Sequence, residues 1–169
     1  TPEGIRRSDV LVRKGRILRV GRSTAAERRQ ARQSLDARDC LLLPGGVDPH
    51  VHFQLSIGGG LRTVDDFFAG SRAALAGGIT SILDYTGPGP GQPPRQAFEA
   101  RLTQAKACAC DYGLHNVLIG WRPEWSADLR WLRRRGSPSV KLFMIYKDRG
   151  WQASDGMMHT VMEQCRRWG

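Results

Sequence analysis

Apolar and polar positions follow two different rhythms along this chain. Over "SDVLVR" (8–13) the alternation has a period of two, "KG" supplies a turn, and "RILRVG" runs as a second short segment. That period marks half-buried strands, so the stretch is expected to form two short strands joined at a turn. Residues 24–33 are polar and charged and read as surface, and "SLDARDCLLLPG" then returns the chain to an apolar run. Residues 1–43 are therefore expected to form a small β unit.

From residue 44 the rhythm changes to strand, helix, strand, helix. "TVDDFFAGSRAALAGG" opens with Thr63 and has Asp66 three residues later, the spacing of a capping box. Val64, Phe67, Phe68, Ser71 and Leu75 approximate one helical face, and Gly77-Gly78 should stop the helix. "ITSILDY" reads as a strand, "TGPGPGQPP" as a loop and "RQAFEARLTQAKA" as a helix. "YGLHNVLIGW" is a further strand, and "SADLRWLRRRG" a helix capped by Ser126 and ended by Gly136. "SVKLFMIY" is expected as a strand and "SDGMMHTVMEQCRRW" as a last helix. This alternation predicts an α/β fold with a parallel sheet and covering helices. Doubly wound sheets and (β/α)8 barrels share it, although no G-x-G-x-x-G follows the first strand, which disfavours a dinucleotide fold.

Composition changes that picture little. The chain has 169 residues and 40% hydrophobic content, enough for one ordinary globular core. No run of apolar residues is long enough for a membrane span, and no signal-peptide pattern is present, so neither a membrane nor a secreted setting is indicated. The net charge of +10 comes almost entirely from scattered arginines. Those sit where solvated helix faces are expected, so specific nucleic-acid binding is not. Cys40, Cys108, Cys110 and Cys165 form no C-x-x-C pair and read as free thiols, consistent with a cytoplasmic location.

Two features carry chemistry. In "LLLPGGVDPHVHFQ" (41–54) a buried-looking strand ends in His50 and His52. At i and i+2 on a strand both side chains share one face, about 6.5 Å apart along the chain. If the strand belongs to a barrel, that face lines the mouth where barrel active sites lie, and neutral imidazoles there can share an ion. Asp48, also at alternate spacing, could orient a histidine. On spacing alone, satisfied histidines that bind nothing remain equally open. The second feature is Lys141, inside the apolar "SVKLFMIY". Burial favours its neutral amine, which can react with CO2 to give a carboxylate-like carbamate; a lysine that snorkels to solvent is the plainer alternative.

Taken together, the chain resembles the dihydropyrimidinase and hydantoinase branch of the amidohydrolase superfamily. The resemblance runs from "SDVLVRKGRILRVG" to the last residue, and "LLLPGGVDPHVHFQ", "TVDDFFAGSRAALAGGITSILDY", "CACDYGLH" and "SVKLFMIYKD" carry it. It implies the first half of a TIM-like (β/α)8 barrel over residues 44–169, about four β-α units, preceded at 1–43 by part of a β-sandwich. It implies that His50 and His52 ligate the more buried of two zinc ions and that Lys141 is carboxylated and bridges both. The hydroxyl of Tyr146 would contact the substrate carbonyl and steady the developing oxyanion, and "QLSIGGGLRT" would be the stereoselectivity loop. The implied reaction is hydrolytic opening of a dihydropyrimidine, a hydantoin or a related cyclic ureide, in a cytoplasmic homotetramer.

The same resemblance places two further histidines and the aspartate that serves as general base on strands after residue 169. His115 and His159 are the other histidines present, and neither is expected to replace a ligand. Thr1 and Gly169 read as cut ends, so the chain is expected to be a partial copy, weak or inactive in catalysis and prone to aggregate. Two alternatives remain: a non-catalytic dihydropyrimidinase-like scaffold, against which the presence of His50, His52 and Lys141 argues, and another cyclic amidase such as an allantoinase.

Overall fold

The computed structural model describes residues 4–168. Its contacts divide the chain into two compact units that meet between Leu43 and Pro44.

In the first unit β1 (Asp9–Arg13) and β2 (Arg16–Gly21) pair antiparallel, with Arg13 opposite Arg16. The turn between them is Lys14-Gly15, both at positive φ (50° and 70°), the two-residue geometry whose twist matches the flanking strands. The polar stretch that follows contains a short exposed helix, α1 (Ala25–Gln30). Thr24 accepts from the Glu27 N–H and Glu27 accepts from the Thr24 N–H, a reciprocal capping box that polarity alone conceals.

The second unit alternates as its rhythm predicts. In order come β3 (Gly46–Val51), a small antiparallel pair β4 (Ser56–Gly58) and β5 (Leu61–Arg62), α2 (Phe67–Ala76) and β6 (Ile79–Tyr85). After these come α3 (Pro94–Gln104), β7 (Asp111–Val117), α4 (Trp125–Arg134), β8 (Val140–Lys141) and α5 (Asp155–Trp168). Among the described residues the main sheet has four parallel strands in the order β3-β6-β7-β8. Each crossover steps one strand in the same direction and the order never reverses. That is the winding of a barrel, and it decides between the two architectures the alternation allows.

The core lies between the helices and β7, where Phe98, Leu114, Leu118, Trp125, Leu129, Leu132 and Val161 cluster. On α4 the buried Trp125, Leu129 and Leu132 recur at helical spacing, while Arg130, Arg133 and Arg134 take the exposed face. Truncating a side chain such as Leu132, 1% exposed, would cost about 2–5 kcal/mol.

Three local expectations are corrected. The helix expected from Thr63 begins at Phe67, with Asp66 as its cap accepting from the Ala69 N–H at 2.7 Å. The Thr63 hydroxyl instead accepts from the Leu55 N–H and donates to the His52 carbonyl, and Val64 is fully exposed. Ser126 does not cap α4; it lies inside the first turn and donates to Gln164 on α5, tying the two helices together. The strand expected over "SVKLFMIY" is limited to Val140–Lys141. Beyond it an isolated bridge joins Phe143 to Gln152, and Met144 and Ile145 turn outward at 70% and 59% exposure.

Candidate functional site

Because the strands of the main sheet are parallel, their C-terminal ends open on one side, and the chemistry-bearing residues gather there. β3 reaches this end through an irregularity. Asp48 pairs with Ile82 and Val51 with Asp84, so three steps on β3 match two on β6. Pro49 has no N–H to give the ladder, and the extra residue forms a bulge beside it. The Asp48 carboxylate spans the bulge by accepting the His50 main-chain N–H at 3.1 Å. Asp48 thus acts on the backbone of His50, and no bond to an imidazole is found for it among the described residues.

His50 and His52 do come together. Their Nε2 atoms are 3.1 Å apart and their rings meet edge to face, with centroids 5.0 Å apart. Two nitrogens bound at zinc distances in a tetrahedral arrangement would sit about 3.3 Å apart, so the pair is at a separation one ion could span. Burial is the main cause that pushes the His52 pKa below its usual value; the charges of His50, Arg101 and Lys141 add to it and Asp84 opposes. His52 is therefore held toward the neutral form, which is the form that binds a metal.

Tyr85, at the end of β6, completes the cluster. Its ring lies 4.6 Å from that of His50, 4.9 Å from His52 and 4.8 Å from His115. Its hydroxyl is 3.3 Å from His50 Nδ1, and burial raises its pKa, which keeps the phenol protonated. His115 on β7 has both ring nitrogens engaged: Nε2 donates to the Pro49 carbonyl at 3.2 Å, and Nδ1 is 2.6 Å from the Ser139 hydroxyl. It braces β3 and has no ring nitrogen free. His159 is exposed on α5.

Lys141 closes β8 opposite Val117, half-buried, with its ammonium 5.5 Å from the centre of the Phe143 ring. No acidic side chain pairs with it among the described residues. Tyr146 follows in a left-handed conformation (φ 69°), packed edge-on against Phe143 and Trp151 at 5.5 and 5.8 Å. Its side chain, 43% exposed, belongs to that aromatic group, and no hydrogen bond joins it to the histidine pair among the described residues. No three His, Cys, Asp or Glu side chains converge as a ready metal cage among the described residues. His50 and His52 fit an ion as two of its ligands, and Lys141 would add a third only as its carbamate.

The sequence reading passed over Tyr85 and the buried pair Asp84–Arg101 beneath it, in which Arg101 Nη2 lies 2.8 Å from both Asp84 oxygens. The signal was available for Asp84: a carboxylate in the middle of "ILDY" is as anomalous as a lysine in "VKLF".

No family model matches the chain. The dihydropyrimidinase of Dictyostelium discoideum is 38% identical over 165 residues, covering 96% of this chain and 32% of that protein. The D-hydantoinase of Geobacillus stearothermophilus is 33% identical over 171 residues, covering all of this chain and 35% of its relative. A crystal structure of D-hydantoinase from Bacillus sp. AR9 superposes with a TM-score of 0.88 at 32% identity, over 97% of this chain and 35% of that one. Over 96–100% of its length this chain is homologous to dihydropyrimidinases and D-hydantoinases. It spans about a third of the length of the family members it matches.

Proposed function

We propose that this chain supplies part of the binuclear zinc site of a cyclic amidase that opens dihydropyrimidine or hydantoin rings. The observation that carries the reading is the His50–His52 pair, with Nε2 atoms 3.1 Å apart at the mouth of a sequentially wound parallel sheet. When bound, the metals would supply Lewis acidity and a water acidified toward neutrality.

The chain's own residues then have separate tasks. His50 and His52 offer Nε2. With the Tyr85 hydroxyl accepting the His50 Nδ1–H across their 3.3 Å contact, the His50 Nε2 lone pair would be left for the ion. Lys141 becomes a ligand through its carbamate: Nζ bonds to the carbon of CO2 and releases a proton to solvent. Tyr146 donates its hydroxyl to the substrate carbonyl as negative charge develops there. In this reading the active protein is a cytoplasmic tetramer. Among the described residues no helix is long and apolar enough to cross a membrane.

The test is metal content by elemental analysis after zinc loading in bicarbonate, for wild type, His52→Ala and Lys141→Ala. Both variants should lose at least half of the bound zinc. A 44-Da adduct on the Lys141 peptide should be present in wild type under non-acidic conditions. Equal zinc in all three proteins would overturn the reading.

A further inference from the structure

We infer that Asp84 and Arg101 are positioning residues for the histidine pair, a buried carboxylate–guanidinium clamp that fixes the main chain at Phe53 and with it the placement of His52. This rests on the metal-site reading above for its consequence, though not for its geometry.

Phe53 directly follows His52, just beyond the end of β3, where no ladder partner holds it. Both of its main-chain groups are held by the clamp. Its N–H donates to Asp84 Oδ2 at 3.3 Å, and its carbonyl accepts from Arg101 Nη2. The same Nη2 donates to both Asp84 oxygens at 2.8 Å, and Nη1 donates to Gln104. Asp84 Oδ1 also accepts the N–H of Tyr85, whose ring touches His50, His52 and His115. One carboxylate on β6 and one guanidinium on α3 thus govern the backbone on both sides of the imidazole cluster.

Burial makes the geometry stiff. Asp84 is 0% and Arg101 5% exposed, and the guanidinium lies over the Phe67 ring at 4.6 Å. As a device for stability the pair is poor. Two charges are desolvated, and Arg101 Nε is buried without a hydrogen-bond partner among the described residues. An apolar pair of similar volume would hold the fold as well. What apolar side chains could not do is hold the N–H and carbonyl of Phe53 together and stop the end of β3 from shifting. Supporting groups of this kind typically alter metal affinity about 10–100-fold.

The test compares wild type with the Asp84→Leu/Arg101→Met double variant, which removes both charges and so avoids leaving one unpaired. In the metal-free wild type, the Phe53 amide should be protected from hydrogen exchange and ring-proton NOEs should link His50, His52 and Tyr85. In the variant, Phe53 exchange should rise at least tenfold and those NOEs should vanish, with far-UV circular dichroism unchanged. Zinc affinity, read by chelator competition, should fall at least tenfold. An unprotected Phe53 in wild type overturns the clamp, as do retained NOEs and unchanged affinity in the double variant. Should the double variant fail to fold, Phe53 exchange and the NOEs of wild type still decide. His52→Ala separates the two ideas: equal zinc binding by it and wild type sinks the metal reading, while the exchange and NOE results still judge the clamp.

Discussion

Gly70→Ala tests how tightly the end of β3 is seated, because two opposing effects meet there. Gly70 is buried on α2, and a Cβ built on it would lie 2.2 Å from Phe53 Cε1, 2.6 Å from Cδ1 and 2.7 Å from Cζ. Carbon atoms pack at about 3.5–4.0 Å, so the ring would have to retreat by roughly 1.3 Å or more. Its main chain cannot carry it away, since the Phe53 N–H and carbonyl are bonded to Asp84 and Arg101. The Phe67 ring, edge-on at 5.6 Å, restricts its movement further. Overpacking of this kind costs about 1–3 kcal/mol. Against that, replacing glycine by alanine inside a helix returns about 0.8–1.0 kcal/mol. The expected net effect is a loss of about 1 kcal/mol. Gly156 is the control: it lies in the first turn of α5 with open space where its Cβ would stand, so Gly156→Ala should gain about 0.4–1 kcal/mol. Urea unfolding followed by circular dichroism, at constant m, should move the two midpoints in opposite directions. In thermal melts the difference per kcal/mol should be about 2–4 °C. If Gly70→Ala stabilises as much as Gly156→Ala, the Phe53 ring does not fill the notch, or it leaves freely, and the seating is refuted.

Two further outcomes rest on local electrostatics. The Cys110 thiol is pushed up to about 11, chiefly by burial and then by Cys108, and burial also raises Cys165, whereas Cys40 is exposed. With about a thousandth of Cys110 present as thiolate at pH 8, iodoacetamide should label Cys40 well before it, as peptide mass spectrometry would show; equal labelling rates would refute the burial. Glu27 is held below its usual value of 4.5 by the Thr24 N–H and then the Thr24 hydroxyl. A lowered carboxylate favours the folded state above the unfolded pKa and loses that contribution as pH falls through the lowered one. The α1 amide shifts should therefore report a helix that persists at neutral pH and frays as pH drops below about 4.5, and Thr24→Ala should weaken that dependence. Identical titrations of the two proteins would exclude the capping box as its origin.

What the sequence disclosed follows from how local each signal is. Strand and helix periods are carried by consecutive residues, so β6, α3 and α5 fall where the pattern puts them. The histidine pair is equally local, since a two-residue spacing on a strand brings both rings to one face. Where expectation failed, something distant had won. Thr63 sits at helix-cap spacing from Asp66, yet the hairpin of β4 and β5 puts its hydroxyl between Leu55 and His52. "SVKLFMIY" has the composition of a full strand, but pairing with β7 extends only across Val140 and Lys141. The turn that follows places Tyr146 among Phe143 and Trp151.

Arg101 shows the limit most clearly. In "FEARLTQ" it reads as one more solvated arginine in a chain of many, and an aspartate 17 residues earlier gives no hint that they meet. Their contact depends on where the crossover from β6 lays α3 against the sheet, and no local period encodes that. Asp84 was recoverable by the reasoning that singles out Lys141, for a charge inside an apolar strand must find a partner or give up its ionisation. The two charges differ in how they are answered. Asp84 has a guanidinium and main-chain N–H groups around it, and its place is settled. Lys141 has an aromatic face and a lowered-pKa histidine within reach of its charge, and no carboxylate pairs with it among the described residues. Under the function proposed above, this half-buried amine is the group that carboxylation would turn from a cation into an anionic ligand, and the zinc content of Lys141→Ala is the measurement that decides it.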